Sequence, residues 1–331
     1  MYTFRTLDAQ IGMVPGPMTV ALRAIDQSQG SERAFSLQHP EALKTLIQIA
    51  RIQSVESSNA IEDVTAPHAR VVELVEEKPT PANRSEAEIA GYRSVLDTIH
   101  ASALQIPFRP SVVEQLHRDL YQFTGVRAGH WKGVDNSIAE VGPDGTRFVR
   151  FRTLSAAETP AAMGELHDRF DRAMRSGGYH PLPLAGCYVF DFLATHPFLD
   201  GNGRMGRLLT LLLLYRTGYE VGRYVSLERL VQDSSDTYYE ALRAAGIGWH
   251  TGEHDITPWL EYFLGSSLRP TRSSSRVSES SPVAARSARR SGSSCASRLP
   301  TSSRWPTSDE LRRLRASPTS RRRSRPCVTR A

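Results

Sequence analysis

The chain has 331 residues, of which 41 are lysine or arginine and 35 are aspartate or glutamate, giving a net charge of +6. That charge is unevenly placed, because residues 266–331 hold 16 arginines against 3 acids and leave a net −7 on residues 1–265. The first 265 residues are therefore mildly acidic, which argues against an extended nucleic-acid interface within them.

The cysteines and the apolar runs set further limits. Cys187, Cys295 and Cys327 have no metal-ligand spacing, which indicates a reduced setting. The first ten residues lack the basic segment and apolar stretch of a signal peptide. The longest apolar run, LLTLLLLY at 208–215, is too short to span a bilayer and predicts a buried helix. We expect a cytoplasmic protein without membrane contacts.

Helical periodicity dominates the chain from residue 40 onwards. Apolar residues three and four apart predict a helix from Pro40 to about Val55. Ser85 and Glu88 fit a capping box that opens another helix, and Pro110 fits the first residue of a third. Further helices are expected over 156–175, 184–195, 204–217, 234–245 and 256–264, with Gly218 ending the one over 204–217.

One segment has a different period. Residues 134–152 alternate apolar and polar side chains on both sides of a Pro-Asp-Gly turn, which predicts a β-hairpin. An exposed strand edge of such a hairpin can pair with an extended segment of another protein. We expect a protein partner to dock there.

Residues 196–207 read HPFLDGNGRMGR and combine several groups that can handle phosphate. Pro197 disfavours the α conformation for His196, so the preceding helix should end there and leave the histidine on a loop. Gly201 and Gly203 permit close backbone approach, and the next helix begins with free N–H groups that bind anions.

Three charged side chains complete this segment. Arg204 and Arg207 lie three residues apart on the following helix, so both guanidinium groups can reach phosphate oxygens from one face. Asp200, directly before the turn, can hold Mg²⁺ against the same phosphates.

The segment resembles the signature of the Fic (Fic/Doc) family, His-Pro-Phe-x-Asp/Glu-Gly-Asn-Gly/Lys-Arg-x-x-Arg, and matches it at every specified position. The resemblance covers roughly residues 40–265 and implies a mainly α fold, a Fic-type helical domain with the hairpin as a flap over the active site. It also implies a protein adenylyltransferase, a nucleotidyltransferase that moves AMP from ATP to a Ser, Thr or Tyr hydroxyl of a protein, itself included, and releases pyrophosphate.

The resemblance also implies residue roles. His196 is the expected general base and Asp200 the expected Mg²⁺ ligand. Backbone N–H groups of the turn, with the Asn202 side chain, are expected at the α- and β-phosphates, the two arginines at the β/γ end, and the YYEAL helix at adenine. The last assignment has an alternative, since aromatic residues at helical spacing also fit a core. The expected nucleotide-binding set is Gly201, Asn202, Gly203, Arg204, Arg207, Tyr239 and Leu242.

A second pattern precedes the core. Ser58 and Glu62 are four residues apart on a predicted helix, and Glu62 and Asp63 lie near its C-terminus, where the helix dipole disfavours negative charge. Fic proteins with an N-terminal inhibitory helix have the pattern Ser/Thr-x-x-x-Glu-Gly/Asn, whose glutamate pairs with the second motif arginine. The resemblance therefore implies an inhibitory helix at about 40–66 with Glu62 against Arg207, although Asp63 departs from Gly/Asn.

Three segments are expected: an N-terminal helical region (1–83), a Fic core domain (84–265) and an Arg/Ser-rich disordered tail (266–331). The tail is either a nucleic-acid-binding arm or a frameshifted remnant that replaces a winged-helix module. Removal of AMP by the same site, a nucleic-acid-associated regulator with a Fic core, and a homodimer remain open alternatives.

Overall fold

A computed structural model describes residues 2–13, 15–38, 40–141 and 146–265. The expected tail at 266–331 and the tip of the expected hairpin at 142–145 lie outside the described residues.

The described residues are mainly helical, with two short 3-10 turns at Val221–Arg223 and Trp249–Thr251. No helix among them is long and apolar enough to cross a membrane. The helices are α1 (Tyr2–Arg5), α2 (Leu7–Ile11), α3 (Gly16–Gln38), α4 (Pro40–Ala60), α5 (His68–Glu76), α6 (Arg84–Ser102), α7 (Pro110–Leu120), α8 (Thr159–Ser176), α9 (Pro181–Thr195), α10 (Asn202–Arg216), α11 (Leu227–Asp233), α12 (Ser235–Gly246) and α13 (257–265).

The hairpin expected over 134–152 is present. Strand β1 (Ser137–Val141) pairs antiparallel with β2 (Arg147–Arg152), and the register is irregular between Ile138 and Ala139. Within the described part of the chain, these two strands are the whole β-structure. The predicted fold class, a mainly helical domain with one hairpin, is confirmed.

Two central helices carry the site. Every residue of α9 from Leu182 to Thr195 is buried, and α9 packs between α8 and α10. The apolar run at 208–215 forms the buried body of α10, as predicted, and α10 ends near Gly218, whose φ is 92°. Because both helices are enclosed by others, the loop that joins them, residues 196–201, is held at both ends by a rigid core.

The first turn of the chain packs against α9. The Thr3 hydroxyl donates to Asp191 Oδ1 at 2.7 Å and lies 2.9 Å from His254 Nε2. The Trp249 indole N–H also donates to Asp191 Oδ1, at 2.7 Å. Burial raises the pKa of the Asp191 carboxyl. These contacts tie α1 and the 3-10 turn at Trp249–Thr251 to the helix that carries His196 on its end.

The cap predicted for α6 is wrong in its residues. The helix begins at Arg84, with Asn83 as the N-cap: Asn83 Oδ1 accepts from the Glu86 backbone N–H, and Glu86 Oε2 accepts from the Ala82 N–H. Ser85 and Glu88 therefore lie two positions further into the helix than a capping box requires. Glu88 is buried instead, which leaves its carboxylate available to the interior.

Five of the described helices were not predicted individually. Four of them are short, since α1, α2, α5 and α11 have 4, 5, 9 and 7 residues and give few apolar repeats for a helical period to stand out. The fifth, α3, has 23 residues, but residues 27–33 (QSQGSER) contain no apolar side chain and interrupt its period.

Gly91 offers a test of the packing of α6 on α7. A Cβ at Gly91 would overlap the Leu120 carbonyl oxygen, whereas a Cβ at Gly164, inside α8, would meet nothing within 4 Å. Both sites are helical, so alanine gains about 1 kcal/mol of helix propensity at each. We expect Gly91→Ala to lower the free energy of unfolding by about 2 kcal/mol through overpacking and Gly164→Ala to raise or preserve it. Denaturant melts of both variants measure this, and equal effects would contradict it.

Candidate active site

The loop between α9 and α10 is closed by one side chain. Asn202 Oδ1 accepts from the Phe198 backbone N–H at 2.9 Å, and Asn202 Nδ2 donates to the Phe198 carbonyl at 2.8 Å. Its amide is thus paired at both ends and buried. In the structure this side chain holds the loop, and the Asn202 backbone N–H lies at the start of α10; a contact of the side chain with phosphate stays a prediction.

A residue that the sequence did not single out supports the same loop. The His117 ring of α7 stacks on Phe198 with 3.6 Å between centroids and 5° between planes. Its Nδ1 accepts from the Gly129 N–H at 3.0 Å, so its Nε2 carries the proton and donates to the Asp200 carbonyl at 3.0 Å. A histidine on an amphipathic helix gives no sequence signal of such a role.

His196 caps α9 in the left-handed conformation, with φ 51° and ψ 60°. Its Nδ1 lies 3.4 Å from the Leu193 carbonyl oxygen, which can only accept, so Nδ1 carries the proton. Burial lowers the pKa of His196 to about 4. The ring is therefore neutral near pH 7, and its Nε2 is an unprotonated base.

The first motif arginine is committed to the interior. Arg204 Nη1 donates to Glu88 Oε2 at 2.7 Å and Arg204 Nη2 to the Tyr121 hydroxyl at 2.8 Å, and the guanidinium also lies over the Tyr121 ring. The Arg204 side chain is almost completely buried. In the structure its two terminal nitrogens face a carboxylate and a phenol in the core, and its expected contact with phosphate stays a prediction.

The second motif arginine faces α4 as predicted. Arg207 Nε donates to Ser58 Oγ at 2.8 Å, while Arg207 Nη2 donates to the Ser58 carbonyl and to Glu62 Oε1, both at 2.8 Å. Burial opposes the Arg207 charge, but Glu62 and nearby tyrosine oxygens outweigh it, so the pKa of the guanidinium lies above its usual range. Ser58 and Glu62 together enclose this arginine.

Gly203 makes room for the glutamate. A Cβ at this second residue of α10 would collide with Glu62 Oε1. The Glu62 carboxylate therefore lies against the first turn of α10, where unpaired N–H groups and the helix dipole favour negative charge. This is the place where the sequence predicts phosphate.

Glu62 lies two residues beyond the end of α4, in a turn, and not on the helix itself. The backbone N–H groups of Glu62 and Asp63 bond to the carbonyls of Asn59 and Ala60. Asp63 then adopts a φ of 58°. That left-handed conformation is the one Gly or Asn adopts readily, and Asp is among the residues that tolerate it. The departure from the family pattern at Asp63 thus preserves the turn that presents Glu62.

Asp200 has the placement that a Mg²⁺ ligand needs. Its Oδ1 accepts from the Gly201 N–H at 2.7 Å, and its side chain is 67% exposed at the start of α10. Mg²⁺ is commonly held by one or two carboxylates together with substrate phosphates, so a single exposed carboxylate beside an anion site fits this ion. No group of three or more potential metal-ligating side chains occurs in residues 2–13, 15–38, 40–141 and 146–265.

The YYEAL helix, α12, divides between core and surface. Tyr238 is buried against Trp259 and Tyr262, with ring centroids 5.7 and 5.5 Å apart. Tyr239 is 39% exposed, and Leu242 is half-buried. Arg150 of β2 donates to the Tyr239 carbonyl at 2.8 Å and lies over its ring. The hairpin therefore reaches over the exposed side of α12, where Tyr239 and Leu242 are expected to meet adenine.

Residues 107–214 match the sequence pattern of the Fic/DOC family. This segment is therefore a Fic/DOC domain. The chain is 27% identical over 252 residues to the protein adenylyltransferase Fic of Drosophila yakuba, and the aligned region is 73% of this chain and 43% of that protein. The chain thus spans less than half the length of the curated relatives it matches.

Solved structures agree with the Fic fold. A Fic family protein from Desulfovibrio desulfuricans superposes with a TM-score of 0.65 at 21% identity, covering 81% of this chain and 77% of that one. A Fic domain containing signaling protein from Bacteroides thetaiotaomicron superposes with a TM-score of 0.63 at 23% identity, covering 75% of this chain and 94% of that one. The Fic-type fold inferred from the motif is confirmed.

The two motif arginines should differ in their effect on stability. Arg204→Met leaves the buried Glu88 carboxylate with only Arg84, whose Nε lies 2.9 Å away, and should lower the free energy of unfolding by about 3 kcal/mol. Arg207→Met frees Glu62, which is one-third exposed and can be rehydrated, so the loss should be about 1 kcal/mol. Urea melts of the two variants measure these losses in the free energy of unfolding. A larger loss for Arg207→Met than for Arg204→Met would contradict the assignment.

Proposed function

We propose that this chain is an autoinhibited protein adenylyltransferase that moves AMP from ATP to a Ser, Thr or Tyr hydroxyl, including its own, and releases pyrophosphate. The observation that carries the proposal is the junction of α9 and α10: a neutral, buried His196 lies before an anion-binding helix start that an exchangeable carboxylate, Glu62, now covers. The name of the Drosophila relatives supports the same reaction class.

The chemistry follows from the two sides of the loop. The target hydroxyl oxygen attacks the α-phosphorus of ATP, the bond from that phosphorus to the bridging oxygen breaks, and pyrophosphate leaves. His196 Nε2 takes the hydroxyl proton, which its neutral state allows. The N–H groups of Asn202 and Gly203 stabilise the charge on the phosphate oxygens, and Arg207 binds the far end of the triphosphate.

Mg²⁺ bound between the phosphates would neutralise their charge, and Asp200 is the residue that would hold it. The Asp200 backbone is held by His117 and its Oδ1 by the Gly201 N–H, while Oδ2, which lies 3.9 Å from Arg204 Nη2 on a side chain that is 67% exposed, is the oxygen that would meet the ion.

We expect autoinhibition because the Glu62 carboxylate and the ATP triphosphate compete for the same arginine, Arg207. Glu62 Oε1 lies against Gly203 and 2.8 Å from Arg207 Nη2, so a triphosphate that uses the same arginine must displace this carboxylate. Ser58 adds two more contacts to the guanidinium and keeps it turned towards α4. In this arrangement we expect ATP to bind in a non-productive pose.

The substrate protein is expected at the hairpin. Phe148 and Val149 of β2 are half exposed, which offers apolar contacts beside a strand edge. We propose that an extended target segment pairs with this hairpin and presents its hydroxyl to His196.

Removal of AMP from a modified protein is the alternative for the same site. The Glu62 carboxylate is one-third exposed and faces the phosphate position, so it could orient an attacking water instead of blocking ATP. The two activities make opposite demands on Glu62, since transfer needs the carboxylate removed and hydrolysis needs it present.

Replacing Glu62 tests the proposal. We expect Glu62→Gly to raise self-modification by ATP and Mg²⁺ at least about tenfold, the effect of some 1.4 kcal/mol of relieved competition. Intact mass would record the added AMP. Glu56→Gln, which removes another carboxylate from α4 that pairs with His68, is the matched control and should leave the rate unchanged.

Combined variants identify the chemistry. His196→Ala in the Glu62→Gly background should abolish the added mass. If Glu62→Gly gained no activity over the unaltered chain, the inhibitory role would be wrong. If the unaltered chain removed AMP from a modified protein and Glu62→Gly did not, the alternative direction would be favoured.

A further inference from the structure

Lys132 is a buried cation that the proposed reaction does not use. The chain has only three lysines, at 44, 78 and 132, among 41 basic residues. Lys44 and Lys78 are exposed ion-pair partners, whereas Lys132 is 3% exposed. Burying an ammonium group costs free energy unless each of its donors finds an acceptor, so this position calls for an explanation.

All three donors of the Lys132 ammonium are used by neutral acceptors. Nζ lies 2.8 Å from Asn136 Oδ1, 3.0 Å from Thr153 Oγ1 and 3.1 Å from the Thr195 carbonyl oxygen. Burial lowers the pKa of this ammonium to about 8, so it remains mainly charged at pH 7. The group is a point charge with three directed hydrogen bonds.

The ammonium and the backbone of Lys132 each contact the backbone around His196. Nζ binds the carbonyl just before His196, and the Lys132 backbone N–H donates to the Pro197 carbonyl, just after it, at 2.8 Å. Asn136, held by the same ammonium, donates from Nδ2 to the Phe198 carbonyl at 2.9 Å. The left-handed turn at His196 is therefore bracketed on both sides by Lys132.

The other contacts reach the base of the hairpin. Asn136 directly precedes β1, and Thr153 directly follows β2. The Thr153 hydroxyl lies 2.6 Å from Asn136 Oδ1 and 2.8 Å from the Asn136 carbonyl oxygen. One ammonium group thus joins both ends of the hairpin to the loop that carries the base.

We propose that Lys132 is a positioning residue for His196: it fixes the backbone on both sides of His196 relative to the hairpin, and its positive charge adds to burial in disfavouring the protonated ring. The inference rests on the proposed role of His196 as general base. Glu62 and Asp200 also act on the imidazole, but their negative charges favour its protonation, whereas Lys132 opposes it. Losing this cation should therefore raise the pKa of His196 and move the acid limb of activity upwards.

The test uses the full chain with Glu62→Gly as the parent. Carbon-13-labelled histidine lets NMR follow the titration of the His196 ring without any AMP transfer, and His196→Gln assigns the signal. We expect Lys132→Met to raise the pKa of His196 by about one unit, from about 4 in the unaltered protein. Lys132→Arg keeps the positive charge, so the pKa of His196 should stay close to that of the parent. Lys78→Met is the control and should leave the pKa of His196 unchanged.

A kinetic measurement separates charge from position. The acid limb of kcat for self-modification should move upwards with Lys132→Met by the same amount as the NMR pKa. Thr153→Val keeps the ammonium but removes one of its acceptors, so kcat should fall about threefold without any change of the acid limb or of KM for ATP.

Each possible result either supports or contradicts the proposed role of Lys132. An unchanged His196 titration in folded Lys132→Met would overturn the proposal, because a merely structural lysine lowers stability without moving that pKa. If Lys132→Met does not fold, Lys132→Arg and Thr153→Val test the proposal. An unchanged pH profile in Lys132→Arg and a lower kcat in Thr153→Val support it, and a kcat equal to that of the Glu62→Gly parent in Thr153→Val overturns it. A shifted titration in a protein that never transfers AMP would uphold the positioning role and reject the proposed function.

Discussion

A buried guanidinium group requires a negatively charged partner, and the first two turns of α10 carry two such groups. Arg204 and Arg207 are both almost completely buried, in surroundings where an unpaired charge would cost several kcal/mol. The two guanidinium groups are paired with carboxylates in different surroundings. Arg204 is paired with Glu88, a carboxylate fixed inside α6, whereas Arg207 is paired with Glu62, in a partly exposed turn. The pair of Arg204 and Glu88 is part of the core. In the pair of Arg207 and Glu62, the proposed function has another anion, the triphosphate, replace the carboxylate.

This division accounts for the surrounding architecture. Helix α4 must end where Glu62 can approach α10, so it packs against α6 and α11, and Asp63 turns the chain away with a left-handed φ. Gly203 must lack a side chain, because the carboxylate occupies the space that a Cβ would fill. A carboxylate at the C-terminal end of one helix is unfavourable by itself, but it lies at the N-terminal end of another, where the dipole stabilises it.

The sequence predicted the local features around the motif. The loop at His196, the start of α10 and the hairpin depend on neighbouring residues such as Pro197, and their geometry follows from short-range rules. Glu62 was found because its dipole misfit and the family pattern agreed. The roles of His117, Glu88 and Lys132 were missed, since each depends on partners at least 60 residues away that no local period identifies. The positions of Asn202 and Arg204 in the motif followed from the sequence, but the partners of their side chains within the protein did not, because sequence does not reveal which groups already have partners.

The packing of α1 has a consequence for the order of assembly. Thr3 finds its partners at Asp191 and His254, which are 188 and 251 residues further along the chain. A chain that emerges from the ribosome at about 5–20 residues per second keeps its first turn without these partners for tens of seconds. The helix that ends at His196 therefore receives its last buried contacts only after the segment around His254 has been made. Formation of the loop at residues 196–201 is in this way coupled to completion of the domain.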